Sequence, residues 1–181
     1  LDSPAEKYLN SRGIYFHLTH GDHMSAEYCN LRYHPSLIHY PSEQKYPALV
    51  ACIEAPVNED ETWDQQFIGI QVTYLTEDEN GEITKADVNP PKKNMGKSKG
   101  GAIYLTHLAN QLEMPTRLGK IAIVAGVENA LSVMQMNPML ATIAVTGDAF
   151  IEHVTIPEGA VEIEIHADVD KSGERAAYKA M

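Results

Sequence analysis

Hydrophobic positions recur along this chain first at helical spacing, then at the spacing of strands, and from Gly119 onward in alternation between the two. Ala5, Tyr8 and Leu9 fall on one face of a helix that Ser3 caps, Pro4 opens and Gly13 ends. Residues 14–46 are rich in His, Tyr and Pro without a sustained period, which predicts mostly loop with a short strand near 30–33. "YPALVACIEAP" and "QFIGIQVTYLT" are strand-like, the second placing Ile68, Ile70, Val72 and Tyr74 on one face. Asn80-Gly81 in "EDENGEITKA" signals a hairpin, so an antiparallel sheet is expected, and "GAIYLTHL" after Gly100-Gly101 supplies one more strand.

The C-terminal pattern reads as strand 121–124, helix 127–136, strand 142–146, a short element 148–153, strand 161–167, and a helix from Lys171. Such alternation predicts a parallel sheet with right-handed crossovers. The expected division is an α+β subdomain over residues 1–117 and an α/β domain over 118–181, with the boundary near 114–118. Neither internal repeats nor low-complexity segments interrupt this order.

Composition restricts function more than fold. A net charge of −11, from 25 acidic and 14 basic residues, argues against coating nucleic acid by bulk electrostatics, so a nucleic-acid site has to be local. "PPKKNMGKSKGG" concentrates Lys92, Lys93, Lys97 and Lys99, either as a footprint for a phosphate backbone or as a solvated loop. Its "GKS" is no P-loop, because Pro91 stands where the first glycine is required. His17, His20 and His23 read as a polar loop rather than a metal site. Cys29 and Cys52 are too few for a disulfide framework, and no run of apolar residues is long enough to span a membrane. A reduced, cytoplasmic protein is expected, and Leu1 together with the short final helix suggests a piece of a longer chain.

The candidate chemistry lies where strands end. Asp168 and Asp170, two residues apart on extended backbone, direct both carboxylates to one side, as hard oxygen ligands for Mg²⁺ or as caps of the following helix. Gly173 is expected to let the chain turn tightly into that helix. "VAGVE" and "ADVD" both lie at carboxyl ends of predicted parallel strands, where ligands collect in open α/β sheets. No nucleophile elbow or triad accompanies them, which discards acyl transfer.

"AGVENAL" at 125–131 and "DVDKSG" at 168–173 resemble the two motifs of the Toprim domain. "AEKYLNSRGI", "LRYHP", "YPALVACI", "GIQVTYL" and "MGKSKGGAIYL" resemble the region preceding it in primase-like proteins of phages, plasmids and integrative elements. The resemblance implies a Toprim-type parallel sheet flanked by helices and metal-dependent phosphoryl transfer. It implies Mg²⁺ or Mn²⁺ on Asp168 and Asp170, and primer synthesis from nucleoside triphosphates on a single-stranded DNA template. It also implies a zinc-binding domain before this region and a helicase as partner, in the same or another chain.

The family's catalytic Glu is replaced by Ala125, which can neither shuttle a proton nor hold a cation, so impaired catalysis is expected, whether the substitution is natural or introduced. Glu128 stands three residues on, placed either near the metal or to favour the helix N-terminus, and Asn129 occupies a position that is acidic in replicative primases. Two alternatives remain at this stage: a Toprim nuclease cleaving phosphodiesters, and a non-catalytic nucleic-acid-binding module.

Overall fold

Ser3 caps the first helix through both halves of a capping box: its hydroxyl accepts from the Glu6 amide at 3.3 Å, and its own amide donates to Glu6 Oε2 at 2.7 Å. Helix α1 (Pro4–Ser11) buries Ala5, Tyr8 and Leu9, the face its sequence spacing predicts. The computed structural model describes residues 3–15, 30–58, 61–105, 119–138, 140–156 and 160–180. His17, His20, His23, Cys29, the end of "GAIYLTHL" and the predicted boundary at 114–118 lie outside the described residues.

An antiparallel sheet follows, in the order β1 (Leu31–His39), β2 (Gln44–Asn58), β3 (Glu61–Glu77), β4 (Ile83–Lys85), with β5 (Lys92–Gly96) also pairing with β3. The β3–β4 hairpin turns through Asn80-Gly81 as its sequence indicates, with Leu75 opposite Lys85 and Glu77 opposite Ile83. Two differences from the sequence reading have physical causes. Strand β1 runs well past residue 33, because the register shift between His34 and Leu37 around Pro35 removes the period-two signal without ending the pairing with β2. Residues 92–96, expected as loop, form β5 because they complete the open edge of β3 from Gly69 to Thr73.

The second sheet has the order β6-β8-β7-β9, built from β6 (Ile103–Tyr104), β7 (Lys120–Ala125), β8 (Ala141–Val145) and β9 (Glu162–His166). Strands β8, β7 and β9 are parallel, and β6 closes the far edge antiparallel to β8. Residues 103–104, read from sequence with the N-terminal strands, therefore extend the C-terminal sheet. Helix α2 (Val127–Met136) connects β7 to β8, a 3₁₀ helix (Asp148–His153) follows β8, and α3 (Lys171–Ala180) follows β9. Their order and type match the alternation in the sequence. Among the described residues, no helix is long and apolar enough to cross a membrane.

One apolar core runs through both parts. Leu9 of α1, Leu49 and Ile53 of β2 and Leu75 of β3 share a buried cluster with Val124 of β7 and Val127, Ala130 and Leu131 of α2. Leu131 is 1 % exposed. Truncating it to alanine should cost about 2–5 kcal/mol in a denaturant melt, with amide protection lost together in α1 and β7; loss confined to the C-terminal sheet would show that the two parts do not share this core.

Candidate metal centre

Parallel pairing brings three strand ends to one edge. Ala125 at the end of β7 lies opposite Val145 at the end of β8, and Val124 lies opposite His166 at the end of β9. The turns that leave these strands, starting at Gly126, Thr146 and Ala167, therefore form one rim. Gly126 adopts φ +84°, a conformation that favours glycine, and its amide donates to the Val145 carbonyl at 2.9 Å. This locks the β7 turn to β8 before α2 begins.

Asp168 and Asp170 both stand on this rim. Asn129 Nδ2 reaches from the first turn of α2 to Asp168 Oδ1 at 3.1 Å and to the Ala125 carbonyl at 3.0 Å, tying the two motifs together. Asp170 Oδ1 accepts from the Ser172 and Gly173 amides at 2.7 and 2.8 Å, so this carboxylate does cap α3. The capping and metal-holding readings of Asp170 are compatible, because capping engages Oδ1 and leaves Oδ2. Gly173 is required for a reason other than the expected turn: a Cβ there would fall on the Asp168 backbone nitrogen and carbonyl. Its missing side chain lets the Asp168 loop close down on the helix.

A third carboxylate, Asp148, enters from the turn after β8. Burial raises its pKa, the Asp168 amide it accepts from opposes that rise, and the nearby charges of Asp168 and Asp170 add to it. Asp148 Oδ1 is buried and meets no hydrogen-bond partner among the described residues. From sequence, "TGDAF" at 146–150 reads as a strand-end turn without a nucleophile elbow, and the carboxylate of Asp148 is not singled out, although it stands at the carboxyl end of a parallel strand. Among the described residues no three His, Cys, Asp or Glu side chains are grouped to hold a metal. Mg²⁺, however, commonly takes one or two carboxylates and fills its other positions with water and phosphate oxygens. Asp168 and Asp170 supply two such oxygen donors and so fit that requirement, with Asp148 near enough for their charges to act on it.

Position 125 is packed among apolar side chains. The Ala125 methyl is 3 % exposed and belongs to an apolar cluster with Ile123, Val145, Ile151 and Ala176. Its surroundings suit a methyl group.

Glu128 is committed elsewhere. The Tyr8 hydroxyl donates to its Oε1 at 2.9 Å, Lys92 Nζ donates to both oxygens at 3.0 and 2.8 Å, and Lys85 Nζ lies 3.4 Å away. The Glu128 side chain is 8 % exposed and that of Lys92 28 %. Burial alone would raise the Glu128 pKa; the Lys92 charge and hydrogen bonds, with Lys85, outweigh it and hold the group at about 2. Burial and the neighbouring Glu128 charge push the Tyr8 phenol up. Lys92 is thus engaged by protein, while Lys93 is half-buried on β5 and Lys97 and Lys99 are exposed beyond it. The partners of Glu128 lie far away in sequence, and no local pattern announces them.

A second cross-link acts at the rim itself. Gln71 Nε2 donates to the Thr146 carbonyl and to Asn94 Oδ1, each at 3.1 Å, and Asn94 Nδ2 donates to Thr146 Oγ1 at 3.0 Å. Strands β3 and β5 thereby hold the turn that carries Asp148.

Because the Glu128 pKa lies below its ordinary 4.5, the group stabilises the fold fully above pH 4.5 and progressively less as pH falls toward 2. Glu128→Gln should cost about 3 kcal/mol at pH 7, the low end for a broken buried pair because Lys92 keeps solvent access. Urea melts across pH should show that difference shrinking below pH 4.5; a constant difference would remove the ion pair as its source.

Residues 120–181 match the family model of the Toprim domain. Among solved structures the chain is similar to the primase fragment of the bacteriophage T7 primase-helicase protein, at 15 % identity and a TM-score of 0.43. The similarity covers 74 % of this chain and 48 % of the other, so the chain spans about half of that fragment. No curated protein matches. Residues 1–105 match the model described as Domain of unknown function (DUF7146), and with more than half its length in that match and a Toprim domain following it, the protein belongs to this family.

Proposed function

We propose that the chain is the core of a primase-type protein of a mobile element, performing metal-dependent nucleotidyl transfer on a single-stranded DNA template. The observation that carries this reading is the Asp168–Asp170 loop at the carboxyl end of β9, joined through Asn129 to the turn after β7, within a Toprim domain. Asp168 and Asp170 would hold Mg²⁺ or Mn²⁺, which when bound neutralises charge on the phosphate in transfer. The protein's part is positioning: Asn129 orients Asp168, the α3 amides orient Asp170, and the Asp148 carboxylate holds the Asp168 amide. Lys93, Lys97 and Lys99 would offer charge to the template backbone, while Lys92 remains on Glu128. Residues 1–117 would guide the template and 118–181 hold the metal.

The carboxylate expected at position 125 is missing, and Glu128 is held by Tyr8, Lys92 and Lys85. Phosphoryl transfer depends mainly on positioning and charge stabilisation, so losing the proton-transferring group slows the reaction rather than removing its basis. The packed Ala125 methyl favours one alternative, a non-catalytic nucleic-acid-binding module. Nothing in the geometry favours the nuclease.

Asp168→Asn should weaken Mn²⁺ binding by at least tenfold in calorimetry, and unchanged affinity would remove Asp168 from the site. Ala125→Glu, with folding checked by circular dichroism, should raise Mn²⁺-dependent primer synthesis by about 10²–10⁴-fold. A folded Ala125→Glu variant that makes no labelled primer would count against primer synthesis, and a chain that binds DNA but neither Mg²⁺ nor Mn²⁺ would support the non-catalytic module instead.

A further inference from the structure

Helix α3 leads directly away from the Asp168–Asp170 loop and presents a solvent face of unusual charge. Lys171, Arg175 and Lys179 lie one turn apart along it, all exposed, in a chain of net charge −11. With Glu174 and Tyr178 they make up one open face of the helix. Four residues of helix advance about 6 Å, comparable to the separation of successive phosphates along an extended strand. Tyr178 is 71 % exposed beside the same stripe, its ring available to stack a base.

This arrangement conflicts with what helix stability alone favours. Asp170, Glu174 and Lys179 suit the helix dipole, whereas Lys171 opens the helix at its positive end, where a cation is disfavoured. The pairs Lys171/Arg175 and Arg175/Lys179 are like-charged at four-residue spacing, which destabilises a helix. Of the three cations, only Lys179 has an ion pair described, with Glu152 at 3.5 Å, an exposed contact that a lysine exchanges at little cost. Among the described residues two acids stand at this face, Glu152 opposite Lys179 and Glu174, three residues from Lys171 and next to Arg175, so the three cations remain in excess. A cationic stripe interleaved with an exposed aromatic ring is the combination by which proteins hold single strands: phosphates on the charges, a base on the ring.

We propose that this face of α3 binds single-stranded nucleic acid, with the backbone running along Lys171, Arg175 and Lys179 and a base on Tyr178. The site deepens the reading of Asp168 and Asp170 as a metal centre, and rests on it, by naming the surface along which the strand reaches that centre. It is distinct from the Lys93–Lys97–Lys99 segment beyond β3.

The test is fluorescence anisotropy of a labelled oligothymidine with the full chain in EDTA, read as log K against log salt concentration. Excluding metal separates this result from Mn²⁺ binding at Asp168, which is measured independently. Replacing Lys171, Arg175 and Lys179 together by alanine should lower the slope by about 2, while the charge-preserving Lys171→Arg, Arg175→Lys, Lys179→Arg variant keeps it. Tyr178→Ala should weaken binding about tenfold without changing the slope, and Tyr178→Phe should restore it. The proposal is overturned by an unchanged slope in the alanine variant, by equal losses for single-stranded and duplex DNA, or by a wild-type chain that does not bind the oligonucleotide at low salt. Each of these would leave the metal reading standing if Mn²⁺ still binds, whereas loss of Mn²⁺ binding with strand binding intact would overturn that reading alone.

Discussion

The buried carboxylate of Glu128 is the constraint on which the arrangement of this protein depends. It lies in the first turn of α2, immediately after the β7 turn, and takes a phenol from α1 and ammonium groups from β4 and β5. A carboxylate removed from water is tolerable only when its charge and lone pairs are met, and here three groups from the N-terminal part meet them. Separating the two parts would leave Glu128, Lys92 and Tyr8 with unmet polar groups. The shared apolar cluster of Leu9, Leu75, Val127 and Leu131 presses the same surfaces together, so apolar burial supplies attraction while the ion pair fixes position.

That fixing extends to the rim. Glu128 sets the start of α2, and the next residue, Asn129, holds Asp168. Gln71 and Asn94 hold Thr146, two residues before Asp148. The N-terminal sheet therefore does more than precede the Toprim domain: through β3 and β5 it determines where two of the three turns at the site lie. The carboxylates divide the work accordingly. Glu128 joins the parts, Asp170 caps α3 and Asp148 supports the Asp168 backbone, while Asp168 and Asp170 are the pair proposed to hold a cation.

Legibility in the sequence followed the range of the interactions involved. The elements around the candidate site were legible because each carries local signals: the apolar run of β7, the glycine before α2, the paired Asp after β9. Helix α1 was legible through Ser3, Pro4 and the Ala5–Tyr8–Leu9 spacing. Strand β1 was not, because Pro35 and the adjacent register shift remove its alternation. Lys92 read as one of four equivalent lysines because its partner lies on another element, and β6 read as part of the wrong sheet because its pairing with β8 is long-range. The packing of Ala125 with Val145, Ile151 and Ala176 was not legible either, because these neighbours lie on other elements.

The carboxylates at the two motifs are assigned separate duties, Glu128 to the fold and, under the proposed function, Asp168 and Asp170 to the metal. Carboxyl ¹³C chemical shifts, followed by NMR during Mg²⁺ titration at neutral pH, address this assignment most directly. The Asp168 and Asp170 resonances are expected to move with the cation while Glu128 stays where its ion pair places it. Movement of Glu128 with Asp168 and Asp170 unchanged would contradict the assignment.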